Sequence, residues 1–318
     1  MKHSRHHIAF GPVPSRRLGN SLGINNITSK TCSYACSYCQ VGPTTEKCIE
    51  PRAFFSSAQI RDAVAARLEN LQKRGVKVDY LTFVPDGEPA LDIGLAESIA
   101  GLREFGIPIA VISNSSLMWR EDVRARLLKA DLVSVKVDSL EEPQWRRINR
   151  PEPGLDFETV INGIRVFAAE FRGTLISETM LLAGINDSVE ALGAMADFLR
   201  KIAAQTAYLA VPTRPTAVEG VSGASETRLT LAHELFSARL AHVELLTGHE
   251  SADFPNTGDV KDNLLAITAV HPMREVAVRR LLAREHAGWD IIENLISEGT
   301  LKSVKYAGER FYLRPVKR

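Results

Sequence analysis

The chain has 318 residues, room for one large domain or for a large domain and a small one. Its 45% hydrophobic content suits a globular protein with a sizeable core, and no apolar run is long enough to span a membrane. Lys and Arg (39) nearly cancel Asp and Glu (38), so the global charge neither demands nor excludes a nucleic-acid partner. The start, Met1-Lys-His-Ser-Arg-His-His7, is polar and basic with no apolar run behind it, unlike a secretory signal. His3, His6 and His7 have metal-binding chemistry, but a polar segment without fixed structure is the simpler expectation.

The first predicted strand is Leu22–Ile27. It leads into Thr31-Cys-Ser-Tyr-Ala-Cys-Ser-Tyr-Cys-Gln40, which holds three of the four cysteines, Cys32, Cys36 and Cys39. Three residues separate the first pair and two the second. That spacing lets one short loop wrap its thiolates around three corners of a cubic iron–sulfur cluster, leaving one iron without a protein ligand. Three neighbouring cysteines cannot pair fully as disulfides. Zinc is the main alternative, but structural zinc normally takes four ligands in Cys-x-x-Cys pairs. Cys48, nine residues past Cys39, reads more simply as a lone thiol than as a ligand. Free cysteines and a reducible cluster both point to the cytoplasm.

The Cys-x-x-x-Cys-x-x-Cys motif, with Tyr38 just before its last cysteine, resembles the radical S-adenosylmethionine (SAM) superfamily. The preceding Gly11-Pro-Val-Pro-Ser-Arg-Arg-Leu-Gly19 and Ser21-Leu-Gly-Ile-Asn25 resemble a subgroup related to the tRNA wyosine-base-forming radical enzyme. The resemblance extends over essentially the whole chain. It implies that Cys32, Cys36 and Cys39 hold a 4Fe-4S cluster whose open iron chelates the amino and carboxylate groups of SAM. One electron then breaks the C5′–S bond, and the 5′-deoxyadenosyl radical takes a hydrogen from substrate. It also implies a flavodoxin- or ferredoxin-type electron donor and places the Tyr38 ring near adenine. The wyosine enzyme carries a second cluster on three upstream cysteines. Here no cysteine precedes Cys32, so that second cluster cannot be built and the wyosine reaction itself is not expected.

Further along, apolar β-branched runs alternate with segments of helical period, a βα repeat. Predicted strands follow at Tyr80–Val84, Ile107–Ile112, Leu132–Val137, Thr174–Leu182 and Ala207–Val211. Predicted helices are a Ser57-capped segment ending before Gly75, then Ile93–Phe105, Arg120–Lys129, Asp156–Phe171, Ser188–Ala203 and Glu226–Leu246. Six strands are too few for a closed eight-fold barrel, and the resemblance implies an α/β fold with an open six-unit (β/α) partial barrel. In such folds active groups gather at the C-terminal strand ends.

The strand ends carry the remaining candidates. After the second strand comes Val84-Pro-Asp-Gly-Glu-Pro89; the resemblance implies that Gly87 and Glu88 contact the SAM amino group, with Asp86 beside them. An ordinary polar turn is the plain alternative. Asn114, in Ser113-Asn-Ser-Ser116, is a candidate cofactor contact or a helix cap. Ser134, Lys136 and Asp138 share one strand face by alternation, either as a Lys136–Asp138 ion pair or as contacts to SAM or substrate. Glu178 and Met180 share a face of the next strand, which in the resembled fold flanks the adenine. Arg214, in Val211-Pro-Thr-Arg-Pro215, is a candidate clamp for an anionic substrate or for the SAM carboxylate.

A Gly-, Asp-, Asn- and Pro-rich stretch marks a break after residue 247. The expected organisation is a partial-barrel domain over 1–247, a linker over 248–266 and a winged-helix-like module over 267–318. The module is read as helices Met273–Glu285 and Trp289–Ser297, followed by a hairpin, Leu301–Tyr306 with Arg310–Leu313. Lys302, Lys305, Arg310, Arg314, Lys317 and Arg318 give it a basic edge suited to RNA phosphates or simply to solvent. Three functions remain open: a radical SAM enzyme acting on RNA, one acting on a small metabolite or peptide, and a non-catalytic metal-binding regulator.

Overall fold

The computed structural model describes residues 8–28, 30–247 and 260–315. The histidine trio, Lys317 and Arg318 lie outside the described residues. In chain order the elements are β1 Ala9–Ser15, β2 Gly19–Ile24, β3 Thr31–Cys32, β4 Glu46–Lys47, α1 Ser57–Lys73, β5 Tyr80–Phe83, α2 Leu95–Leu102, β6 Ile109–Ser113, α3 Glu121–Leu127 and β7 Leu132–Lys136. Then come α4 Glu142–Asn149, α5 Phe157–Glu170, β8 Thr174–Met180, α6 Val189–Lys201, β9 Thr206–Ala210, α7 Glu226–Ser237 and β10 Val243–Leu246. The last group is α8 Val260–Val270, β11 Met273–Arg274, α9 Glu275–Arg284, α10 Asp290–Ser297, β12 Lys302–Tyr306 and β13 Glu309–Leu313. Among the described residues no helix is long and apolar enough to cross a membrane.

One sheet organises the molecule, in the order β1-β2-β5-β6-β7-β8-β9-β10. β1 runs antiparallel to β2, and every later neighbour pairs in parallel. The sheet curls into a partial barrel, because the β1–β2 turn reaches the far edge: Arg16 Nη1 donates to the Leu245 carbonyl of β10 at 3.4 Å. Alternation along the strands separates two layers. Leu81, Phe83, Val111, Val133, Val135 and Leu209 face the helices in the main core. Ala110, Leu132, Ile176 and Tyr208 face the barrel interior, where Leu18 from the β1–β2 turn packs among them.

The sheet has more strands than the six expected. β1 was hidden by its prolines and glycine. β10 falls within the predicted helix Glu226–Leu246, which ends at Ser237 because residues past it pair with β9 instead. The cap of α1 is Ser56 rather than Ser57, with Gln59 completing a capping box. α4 was not foreseen. Its signals are Pro143 in the first turn, a Glu142–Arg146 pair four residues apart, and Trp145 and Ile148 on one buried face.

The C-terminal elements have their own core, including Leu264, Ile267, Val278, Leu281, Ile292, Leu295 and Tyr312. Their sheet has the order β11-β13-β12. Met273 and Arg274 form a short strand before α9, not its first turn, because they pair with Phe311 and Tyr312 of β13. α8 begins at Val260, inside the expected linker, since Leu264 and Ile267 belong to this core. The unit touches the barrel on both sides of its open seam. Val13 of β1 packs against its core, and Arg67 of α1 bridges the Gly11 carbonyl (2.8 Å) and Asn263 Oδ1 (2.8 Å). On the other side the Tyr306 hydroxyl lies 3.4 Å from the Pro212 carbonyl, just past β9.

Candidate functional site

The cysteine loop follows β2 and stands at the C-terminal end of the barrel strands. β3 and β4 close its base in parallel, Thr31 to Glu46 and Cys32 to Lys47. The loop's crest is held by the unforeseen α4: Ala35 N donates to the Asn149 carbonyl (3.1 Å) and Ser37 N to the Ile148 carbonyl (2.8 Å). These carbonyls are the unpaired ones that every helix end must satisfy. Below, Tyr34 is wedged edge-on against Trp145 at 6.0 Å and accepts from its indole N–H at 2.9 Å. Lys30 is buried; its ammonium donates to the Val41 carbonyl and stands 3.7 Å from Asp86. Burial pulls this ammonium below its usual pKa, against the opposing pull of Asp86 and the neighbouring thiols.

Cys32, Cys36 and Cys39 are partly buried and electrostatically coupled to one another. Burial, reinforced by Glu88, pushes the Cys32 thiol well above its ordinary range. Burial and then Asp138 push Cys36 up to about 12. Such thiols ionise only when a cation pays for the charge, as a metal centre does. Amide N–H groups aim at both sulfurs: Asn114 Nδ2 at Cys32 Sγ and Asn149 Nδ2 at Cys36 Sγ, each 3.4 Å. Donors to sulfur are the contacts that tune a thiolate-held cluster. Among the described residues no three His, Cys, Asp or Glu side chains converge on a point as the ligands of a single ion do. A cluster needs no such convergence, because its thiolates approach separate corners. Cys48 turns away: its sulfur donates to the Glu50 carbonyl at 3.2 Å.

The strand tips and the loop form one polar rim. Glu88, 1% exposed, accepts from Ala90 N (3.1 Å) and Ser113 Oγ (2.8 Å) on one oxygen and from Asn114 N (2.7 Å) on the other. Burial raises its carboxyl to about 7 despite those three donors. A carboxylate offers about four acceptor sites, so one remains for a ligand. Gly87 is there for close approach. A Cβ would stand 2.0 Å from the Thr31 carbonyl oxygen and 2.6 Å from Ile27 Cδ1, and Glu88 N donates to that same carbonyl at 3.1 Å. Gly87→Ala is therefore expected to displace the backbone before Cys32 and cost about 1–3 kcal/mol. Thermal melting and iron bound per chain, measured together, check this; unchanged values in both would refute it.

Asn114 also donates to Ser33 Oγ at 2.9 Å, tying β6 to the loop. Ser134 is buried at 2% on the β7 face shared with Lys136, and Asp138 follows two residues past the strand end. Lys136 and Asp138 do not bond each other. Asp138 instead accepts from the Tyr38 hydroxyl, from Asn149 Nδ2 (2.8 Å) and from Met180 N (2.8 Å). Lys136 donates to Glu178 and stands 5.0 Å over the Tyr38 ring. Met180 packs with Tyr38, Ile148 and Ala210 in a small apolar cluster. Glu178 also accepts from Arg17, and the coulombic pull of Arg17, Lys136 and Arg214 overcomes burial to hold its carboxyl at about 2. Residue spacing gave no sign of Arg17 and Asn149; each reaches the site from an element far away in sequence.

A model of the Radical SAM superfamily matches residues 26–199. The UPF0026 protein MJ1312 of Methanocaldococcus jannaschii is 44% identical over 98% of this chain and 97% of its own length. Among solved structures, TYW1 with a lysine-pyruvate adduct bound has a TM-score of 0.53 at 15% identity, covering 70% of this chain and 76% of that one. A radical SAM methyltransferase from Sphaerobacter thermophilus has a TM-score of 0.54 at 17% identity, covering 72% and 67%. At such identities the two structures speak for the partial-barrel fold alone. The family model spans the cysteine loop and the strands from β5 to β8, so the chain belongs to the radical SAM superfamily, whose enzymes use a 4Fe-4S cluster and S-adenosylmethionine.

Proposed function

We propose that Cys32, Cys36 and Cys39 hold the 4Fe-4S cluster and that the polar rim around them binds SAM for hydrogen abstraction from a small substrate. The observation carrying this is the direct bonding of strand-tip side chains to the cysteine loop, Asn114 to Ser33 and Cys32 and Asp138 to Tyr38. When bound, the cluster supplies the electron that cleaves SAM. Glu88 takes the SAM amine on its remaining acceptor site, with Gly87 setting the approach. Asn114 and Asn149 donate to the thiolates. Tyr38, held by Asp138, would turn its ring with Met180 toward adenine, and Ser134, Lys136 and Glu178 are the further residues that would contact SAM. The electrons come from a flavodoxin- or ferredoxin-type donor.

Three observations favour a small substrate over RNA. The C-terminal unit follows the helix and strand order of a winged helix, but it sits across the barrel seam, with Tyr306 at the β9 tip. Its third helix, α10, exposes Asp290 and Glu293, followed by Glu298, and acids repel phosphates. Of the described basic edge, Arg310 lies 3.8 Å from Glu275 and Arg314 is half-buried, while Lys302 and Lys305 are exposed.

The test is anaerobic reconstitution with iron and sulfide, reduction, addition of SAM and assay for 5′-deoxyadenosine. Product is expected from a chain carrying four irons. A four-iron chain that forms none would sink the proposal.

A further inference from the structure

A buried cation stands at the base of the cysteine loop. Lys30, two residues before Cys32, is 5% exposed, and its ammonium donates to the carbonyl of Val41, two residues after Cys39. The side chain therefore closes the segment that carries all three thiols. Its φ of 61° lies in the left-handed region, uncommon for any residue but glycine. Its carbonyl accepts from Thr45 N (3.1 Å) and Glu46 N (3.2 Å), so the chain leaving the loop is held at the residue that enters it. Its own N–H donates to Asp86 Oδ1 at 3.4 Å, and the ammonium stands 3.7 Å from Asp86 Oδ2. Asp86, also 5% exposed, belongs to the β5 tip beside Gly87 and Glu88.

Tying the loop does not need this charge, because the β3–β4 pairing, the α4 carbonyls and the Tyr34–Trp145 contact already hold it. Burying an ammonium is costly, and an apolar side chain of similar length would fill the same space without that cost. What the charge can do is act on the thiols. The ammonium is coupled electrostatically to Cys39 and Cys32, while the buried acids nearby, Glu88 at Cys32 and Asp138 at Cys36, act in the opposite sense. Asp86 balances the charge overall, but an ion pair is still a dipole, and its positive end is the one fastened to the loop.

We propose that Lys30 is a positioning residue for electron uptake: its buried ammonium, fixed between the two ends of the loop, raises the reduction potential of the cluster held by Cys32, Cys36 and Cys39. The inference rests on the three-cysteine assignment proposed above. Electron uptake adds negative charge at the thiolates, and in a buried setting a fixed cation beside two of them favours the reduced form. The electron still comes from the external donor, and no bond of Lys30 is made or broken.

The experiment is a mediated redox titration of the reconstituted full-length chain without SAM, read by the visible spectrum after iron has been counted in each sample. Lys30→Met and Lys30→Gln remove the charge, the second keeping a donor for Val41. Each is expected to lower the ratio of reduced to oxidised cluster at a given potential at least about tenfold, equivalent to about 59 mV for one electron. Lys30→Arg keeps the charge and should titrate close to the parent. Asp86→Asn removes the opposing charge and should shift the potential upward, so it carries the result if the Lys30 variants fold without holding iron. A role confined to tying the loop predicts altered melting and iron uptake with the potential unmoved. The proposal is overturned if the neutral variants carry four irons and titrate as the parent does, if Lys30→Arg falls as far as Lys30→Met, or if Asp86→Asn does not rise. A parent chain that takes up no four-iron cluster removes the cysteine assignment together with this inference. A normal cluster whose potential ignores Lys30 removes this inference alone.

Discussion

Replacement of any one of Cys32, Cys36 or Cys39 by alanine is expected to abolish both the four-iron absorption and 5′-deoxyadenosine formation, while Cys48→Ala keeps both. The loss should be complete, because three thiolates are the minimum that hold a cubane while leaving one iron open. Apart from Cys48, the described residues place no other thiolate at the loop. Cys48 is near in backbone, its N–H donating to the Cys32 carbonyl at 3.1 Å, but its sulfur points to the Glu50 carbonyl. The folded chain should survive each substitution, since the loop is also held by the carbonyls of α4, the β3–β4 pairing and the Tyr34–Trp145 contact. Iron content, the visible spectrum and the far-UV spectrum measured on each variant check this. A Cys36→Ala protein with full iron would refute the three-cysteine assignment.

Glu88→Gln is expected to weaken SAM binding by about one to two orders of magnitude, the worth of a charge-assisted hydrogen bond of about 1.5–3 kcal/mol. It should also destabilise the metal-free chain. Ala90 N, Ser113 Oγ and Asn114 N all point donors at the carboxylate. A glutamine must turn its NH₂ toward one of them, leaving a buried donor unpaired at a cost of about 1–3 kcal/mol. The pH dependence has a definite sign. Folding raises this carboxyl from 4.5 to about 7, so the folded state binds the extra proton and is favoured at low pH. Stability from this group is full below about 4.5 and is lost as pH rises through about 7, by up to about 3 kcal/mol. Binding runs the other way. A ligand amine needs the ionised carboxylate, so affinity for SAM should fall about tenfold from pH 8 to pH 6. Glu88→Gln should flatten both profiles. A parent protein whose SAM affinity is level across that range would show that Glu88 does not receive the amine.

The parts of the candidate site that were legible in the sequence are those built from neighbouring residues. The cysteine spacing, Gly87–Glu88 at a strand end and Asn114 after β6 each sit in one short segment whose backbone presents them together. Ser134 and Lys136 do lie two apart within β7, as alternation requires, whereas Asp138 falls past the strand end. Which partner each would choose was not legible. Lys136 bonds Glu178 rather than Asp138 because the parallel β7–β8 register sets Lys136 opposite Glu178, whereas Asp138 is drawn to Tyr38 and Asn149. α4 escaped notice because its eight residues are too short for a sustained period, although it supplies the carbonyls that seat the loop.

By itself the sequence determined the family, the cysteine loop and the alternating βα order, since each is written in spacing along the chain. Only the tertiary structure decided what fills the barrel. Arg17 and Glu178 are 161 residues apart, and no local pattern relates them. They meet because the sheet curls until its first turn touches its last strand, and because burying Leu18 in that interior brings the adjacent arginine within reach of Glu178. The same curl leaves a seam, and the C-terminal unit lies across it through Val13 and Tyr306. Curl and seam are consequences of strand twist summed over the whole sheet, a property of the assembled fold rather than of any one segment.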